Sequence, residues 1–265
     1  MSMLREDPVR VALLFVAFVL GSSASGFVAS AESFDKPVRK TVVNLERSRS
    51  LMPNSRSRIQ LSCFYYPAFM IKQLDDPGEK GTQSVTIDSD LNGEFPACRQ
   101  SHSPTEQFLA KDGWFFIGAK GSLLFFEAPD GTSGGMPFRI LEMKTRKKIF
   151  EDSVWWKGHL EFASTPDGKM TLRYPRLVEG DCSIPKDGIS CWSKFRRDWG
   201  LALATAPKCT GYRHEGEREW VVGDEGVPPE PITTASAIAY PVVVKLFQQP
   251  SISAVPGEVK CSPVE

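Results

Sequence analysis

The sequence predicts a mainly β fold: an antiparallel β-sandwich or barrel-like meander with one short helix, stapled by disulfides. Three observations carry that expectation. The chain holds 21 glycines and 20 prolines in 265 residues, which suits a turn-rich β protein better than a helical bundle. Between Trp114 and Leu177, strand-length apolar runs follow one another, separated by turn signals at Lys120-Gly121, Asp130-Gly131 and Asp167-Gly168. The 6 cysteines all follow an N-terminal stretch with the pattern of an export leader, so they are expected to pair.

The leader occupies residues 1–31. Arg5 and Arg10 supply positive charge, Val11 to Leu20 form an apolar run, and small residues lead to Ala29-Ser30-Ala31. That order is a secretory signal peptide cut after Ala31, with Ala24 as a second cleavage point. The apolar run is shorter than the roughly 20 residues a membrane span needs. No cysteine follows it closely, which argues against a lipid anchor. The expected location is therefore periplasmic or secreted. Asn44, Asn54 and Asn92 all lack Ser or Thr two positions on, which leans toward a bacterial periplasm.

Residues 32–57 carry Lys36, Arg39, Lys40, Arg47, Arg49 and Arg56 against Asp35 and Glu46, and read as a basic flexible arm. Such an arm is either a solvated linker or an electrostatic foot on an anionic polymer. Residues 58–265 read as a single mainly β domain, with a shift near Gly180 from hairpins to cysteine-rich irregular chain. Basic and acidic residues number 32 each, and this neutral balance argues against a nucleic-acid partner.

Strands are expected at Arg58–Tyr66 and Gln83–Asp88, then at Trp114–Ala119, Leu123–Ala128, Phe138–Met143, Lys148–Trp156, His159–Ser164 and Met170–Leu177. Adjacent aromatic pairs (Phe115-Phe116, Phe125-Phe126, Trp155-Trp156) put bulk on both faces of their strands, so both faces should be covered. From Ser190 to Trp199, Cys191, Trp192, Phe195 and Trp199 recur at helical spacing, and Gly200 sits where that helix would stop. Gly223–Pro231 reads as a loop. Ala237–Phe247 reads as a strand interrupted by Pro241, which favours an edge or a bulge.

Six cysteines allow 15 pairings. Cys182 and Cys191 are expected to join because Pro185-Lys186-Asp187-Gly188 turns the chain back between them. Cys63–Cys98 and Cys209–Cys261 then follow as sequence neighbours. No CxxC pair is present and the 3 histidines are scattered, so a zinc centre is not expected.

For chemistry, Asp88, Asp90, Asn92 and Glu94 fit the first half of a calcium loop, with Gly93 at its turn. Arg99 stands where a closing Glu would, and a polar turn on Asn92-Gly93 is the competing explanation. The polar turn is the preferred reading, so no cofactor is expected, and calcium at Asp88, Asp90, Asn92 and Glu94 is kept as the alternative. Gly131-Thr132-Ser133-Gly134-Gly135 resembles, over five residues, the nucleophile loop of chymotrypsin-like serine proteases. That resemblance would imply an upstream histidine segment, and His102 is too near to supply it. His159 reads as a surface histidine, and His214 opens a charged loop. Glu127, Glu142, Glu151 and Glu161 offer carboxylate pairs of the kind glycosidases use, though acids on many strands produce such pairs by chance. Tyr65, Tyr66, Trp155, Trp156 and Trp192 offer stacking surfaces for sugars, or simply core.

No coherent catalytic set emerges. The expectation is an exported non-catalytic binding or envelope-structural protein whose partner is a cell-envelope polymer or a protein. The alternatives are a secreted hydrolase acting on glycans or peptides, and a secreted inhibitor presenting the loop closed by Cys182–Cys191.

Overall fold

The computed structural model describes residues 32–47, 58–89, 91, 93–164, 169–203, 205–209, 235–247 and 249–264. Its centre is the run Leu123-Leu124-Phe125-Phe126, in which each residue is at most 7% exposed. Successive strand side chains point to opposite faces, so four consecutive apolar residues demand cover on both sides. Leu124 and Phe126 enter one core, and Leu123 and Phe125 enter another.

Two antiparallel sheets meet these demands. The first comprises β1 (Arg39–Arg47), β2 (Arg58–Tyr66), β3 (Phe69–Asp75), β4 (Thr82–Asp88) and β5 (Gln107–Ala110), paired in chain order. Its inner face presents Tyr66, Phe69, Ile71, Val85 and Ile87 to Phe116, Leu124, Phe126 and Leu141. The second sheet contains β6 (Phe115–Lys120), β7 (Leu123–Glu127), β8 (Gly135–Glu142), β9 (Lys148–Trp155), β10 (Glu161–Ser164), β11 (Met170–Glu179), β12 (Ser236–Lys245), β13 (Ser251–Ala254) and β14 (Lys260–Pro263). It runs β13-β12-β11-β9-β8-β7-β6, with β10 also on β11 and β14 also on β12. Its two halves share a core in which Phe125 and Phe138 from one half meet Phe162, Tyr174 and Val242 from the other.

Helix α1 (Ile184–Asp187) and helix α2 (Ile189–Trp199) close that core, with Trp192 and Phe195 of α2 buried in it. Gly200 ends α2 in the left-handed conformation (φ 65°), a backbone state that costs glycine little. The structure pairs Cys63 with Cys98, Cys182 with Cys191 and Cys209 with Cys261. Cys182–Cys191 therefore staples the start of α2 to the chain just after β11.

Residues 32–47 are more ordered than a basic arm. Residues 32–38 form a strap that joins three strands. The Glu32 amide donates to the Phe162 carbonyl of β10 (2.9 Å), the Asp35 amide to Ala119 of β6 (2.8 Å), and the Val38 amide to Tyr65 of β2 (2.8 Å). The Phe34 ring packs edge-on against Phe125 and Phe162. It fits because position 118 is glycine: a Cβ there would lie 2.5 Å from the Phe34 ring. Lys120 ties the strap down through Glu32 (2.9 Å) and Asp35 (3.3 Å). The chain then continues as β1, where Thr41, Val43 and Leu45 alternate with exposed residues. Arg39 is not free charge, since its guanidinium lies 3.9 Å from the Tyr65 ring centre. Residues 48–57 lie outside the described residues.

Pro241 also departs from expectation. β12 is internal, with β11 on one side and β13 and β14 on the other. Pro241 stands directly opposite Pro175 of β11. On its far side β13 has ended at Ala254 and β14 has yet to start, so no ladder bond requires its missing N–H. Its carbonyl accepts from the Val255 amide (3.0 Å) in that gap.

A buried polar clamp joins the strands behind α2. Tyr174 donates its hydroxyl to Asp152, Arg176 Nε donates to the same carboxylate (3.0 Å), and Arg176 Nη1 reaches the Tyr240 hydroxyl (3.4 Å). The Trp199 ring lies 4.9 Å from the same guanidinium. Replacing Asp152 with Ala leaves Arg176 without its buried counter-charge, and should cost about 3–5 kcal/mol in urea unfolding. Phe34→Ala should cost about 3 kcal/mol by the same measurement, because it opens a cavity at the strap. A loss below about 0.5 kcal/mol would mean the strap does not hold the sheet closed.

The tyrosines make a pH prediction. Burial, and then the Asp35 carboxylate, pushes Tyr66 up to about 12. Burial likewise raises Tyr174 and Tyr240. An unfolded tyrosine ionises near 10. The stability these phenols supply is thus complete below about pH 10 and falls as pH rises from there through about 12. Absorbance titration at alkaline pH should show their ionisation delayed until the protein unfolds.

Candidate binding groove

The facing prolines build a surface site. Pro175 occupies the gap on β11 between its pairing with β10, which ends at Arg173, and its pairing with β9 at Arg176. Pro241 occupies the matching gap between β13 and β14. At each gap the neighbouring chain turns away from the sheet, and a glycine packs on the proline ring. A Cβ on Gly158 would lie 2.1 Å from Pro175 Cγ, and a Cβ on Gly257 would lie 2.5 Å from Pro241 Cγ. Two rings and two glycines thus form the floor of an open groove of about 370 Å³ on the outer face of the sheet.

Trp155 forms one wall, half-buried against Leu177, Ala237 and Ala239. Its neighbour Trp156 is 61% exposed just beyond. The rim is charged. Lys157, Arg173 and Lys260 bring cations, Glu161 and Glu258 bring carboxylates, and His159 stands between them. Lys260 sits over the Trp155 ring at 4.5 Å and Lys157 over the Trp156 ring at 4.6 Å. Lys260 also contacts Glu258 (3.3 Å), and Glu161 lies directly across the ladder from Arg173. Every rim side chain is solvent-facing, so a ligand would meet both signs of charge along an apolar floor.

The residues singled out in the sequence divide between this groove and other places. Trp155, His159 and Glu161 come together here. Tyr65, Tyr66 and Trp192 are core. Glu142 caps its own turn by accepting from the Thr145 and Lys144 amides (2.6 and 3.1 Å), and the Thr145 side chain, followed by these amides, holds its carboxyl below the usual range. Glu151 pairs with Lys148, and burial raises the Glu127 carboxyl on β7. Ser133 is buried in a tight turn where the Gly135 amide donates to Thr132 (2.7 Å), and its carbonyl accepts from Ser262 (3.2 Å).

In the calcium-loop segment, Asp88 is buried at the end of β4 and accepts from the Ser103 hydroxyl (3.1 Å). Glu94 lies exposed in a turn. Asp90 and Asn92 lie outside the described residues, as does His214. Among the described residues, no group of three or more His, Cys, Asp or Glu side chains is placed to hold a metal ion.

The groove was invisible to sequence reading because its parts come from four separate stretches. The one local signal was a proline centred in each of two strand-like runs. Filling the floor tests the construction: Gly158→Ala should shift Pro175 and lower thermal stability by about 1–3 kcal/mol through overpacking. Unchanged stability would show that the glycine contact is slack. Compared with known protein families, curated proteins and solved structures, the chain matches none.

Proposed function

We propose that this is an exported, non-catalytic binding protein of the periplasm or cell exterior, and that the Pro175–Pro241 groove holds a segment of an envelope polymer. One observation carries the proposal. The groove combines a flat floor of rings and glycines, an indole wall and a rim of three cations and two carboxylates. Such a surface gives a polar chain contacts along its length. The three cystines support an oxidising, extracytoplasmic setting. The cations on Trp155 and Trp156 favour a carboxylate-bearing glycan over a neutral one, because they would be partly desolvated over the rings.

Glu161 and Glu258 on one rim, beside His159, favour a second reading as a glycan hydrolase. The inhibitor reading has less support. The Cys182–Cys191 segment is helical and packs into the core through Ile184 and Cys191, leaving Ile189 as its exposed tip.

Calorimetric titration with polygalacturonate and with neutral cello-oligosaccharides separates these readings. Binding is expected for the acidic polymer, weakening with added salt, and falling about tenfold in Lys260→Ala and in Trp155→Ala, a change of about 1.4 kcal/mol each. No binding to either probe would count against the groove. Release of shortened products, lost in Glu161→Gln, would replace the binding reading with the hydrolase.

A further inference from the structure

We propose that a second site lies on the other sheet: a cavity beneath residues 93–106 that takes a small uncharged polyol about the size of glycerol. Residues 93–106 form a cap over the outer face of β2, β3 and β4. The cap is pinned by Cys63–Cys98, by the Tyr65 hydroxyl donating to the Pro96 carbonyl (2.9 Å), and by the Lys72 ammonium donating to the Arg99 and Ser101 carbonyls (3.0 and 2.9 Å). Cap and sheet do not close completely. A space of about 190 Å³ remains, with Leu61 and Leu74 as apolar wall and Ser84, Thr86, Gln100 and His102 as polar wall.

The charges around this cavity decide the ligand class. Lys72 is 5% exposed and reaches the Glu106 carboxylate at 2.5 Å, so its three N–H bonds all have acceptors. Glu106, 4% exposed, turns its other oxygen to His102 Nδ1 (2.8 Å). Ammonium and carboxylate cancel each other, and neither is left over to attract an ion. What faces the cavity is neutral hydrogen-bonding chemistry: two hydroxyls, an amide and the remaining nitrogen of an imidazole that Glu106 holds in place. His102 is half exposed at the rim and marks the entrance.

The independent sign of a ligand is Thr86. Its residue is 2% exposed, it lines the cavity, and its Oγ1 has no hydrogen-bond partner. A buried hydroxyl without a partner costs about 1–3 kcal/mol. Such a group marks a site when a cavity with convergent polar partners lies beside it. The volume corresponds to about six waters at liquid density, which holds a three-carbon polyol with room for about two waters beside it. The apolar wall suits its carbon edge, and the hydroxyls and amide suit its oxygens. This site is separate from the groove and does not rest on the envelope-polymer reading.

The test is an amide NMR titration of the full chain with glycerol, with propan-1-ol and glycerol 3-phosphate as comparators, repeated on Thr86→Val. Glycerol should give saturable shifts confined to β3, β4 and the cap, with both comparators at least tenfold weaker. Thr86→Val should raise Tm of the free protein by about 3 °C, since it removes an unsatisfied hydroxyl, and should weaken glycerol binding at least fivefold. Shifts that grow linearly over the whole surface would be a co-solvent effect and would overturn the site. Tightest binding by glycerol 3-phosphate would overturn the uncharged ligand class. A Thr86→Val variant with lowered Tm would show that trapped water already satisfies the hydroxyl, and the cavity would then be structural.

Discussion

The architecture depends on a strand that has no solvent face. Leu123, Leu124, Phe125 and Phe126 would leave about half their apolar surface in water on any one-sided sheet, at a cost of about 1.5–3 kcal/mol for each large side chain left exposed. Covering both faces requires three layers. The first sheet lies on Leu124 and Phe126, while the far half of the second sheet, with α2, lies over Leu123 and Phe125. A nine-stranded sheet that folds its two halves onto a common core must bring distant edges together. The strap of residues 32–38 does so, bonding to β10 and β6 and placing Phe34 where the two halves meet.

That curvature accounts for the groove. β9 continues into β10, and β13 into β14, only by turning away from the sheet, which leaves unpaired stretches on the outer edges of β11 and β12. Prolines are tolerated at these stretches and hardly anywhere else in a central strand. The two breaks face one another, so Pro175 and Pro241 become neighbours, and their lack of N–H groups leaves an apolar floor with no backbone donors to satisfy. The groove is therefore a by-product of bending the sheet around its core. Its charged rim is independent of the fold, because Lys157, Arg173, Glu258 and Lys260 are exposed and no packing demand selects them.

Local patterns were legible where chemistry is local. The alternation and turn signals between Trp114 and Leu177 predicted strands at nearly the observed places, and the aromatic pairs predicted two-sided burial. The helix was readable because Cys191, Trp192 and Phe195 keep one face, and the cystines joined neighbours because sequential hairpins keep neighbours close. Charge was misleading in the segment from Asp35 to Arg47. Thr41, Val43 and Leu45 alternate as an edge strand should, but Arg39 and Lys40 suggested a solvated arm. Their charge is instead spread over the Tyr65 and Phe64 rings. Pro241 was misplaced for a related reason. A proline reveals only that no N–H is needed, and both an edge and an internal break satisfy that condition.

Neither candidate site could be read from one stretch of chain, and for different reasons. The groove requires two breaks, on β11 and β12, at prolines 66 residues apart in the chain (241 − 175). The cap cavity requires Lys72, Glu106 and His102 to neutralise one another before Thr86 becomes conspicuous. In the sequence His102 stood alone, and Lys72 was one of two charges in β3, with Asp75. Burial is what changes their meaning. A lysine on the outer face of β3 would normally be solvated, but a cystine to Cys98 draws a long irregular segment over it. The segment's carbonyls then have to be satisfied from below, and Lys72 does this for two of them. An ammonium held in that way needs a buried carboxylate, and Glu106 at the end of the cap provides it. The remaining volume is left neutral, polar and incompletely filled. A cap that existed only to protect the first sheet would be expected to bring apolar residues to that volume, as Leu91 and Cys98 do over Leu61 and Met70. Hydroxyls and an amide around that volume stabilise the folded chain less than leucine would, which is why the polar lining favours the proposed ligand over a purely structural cap.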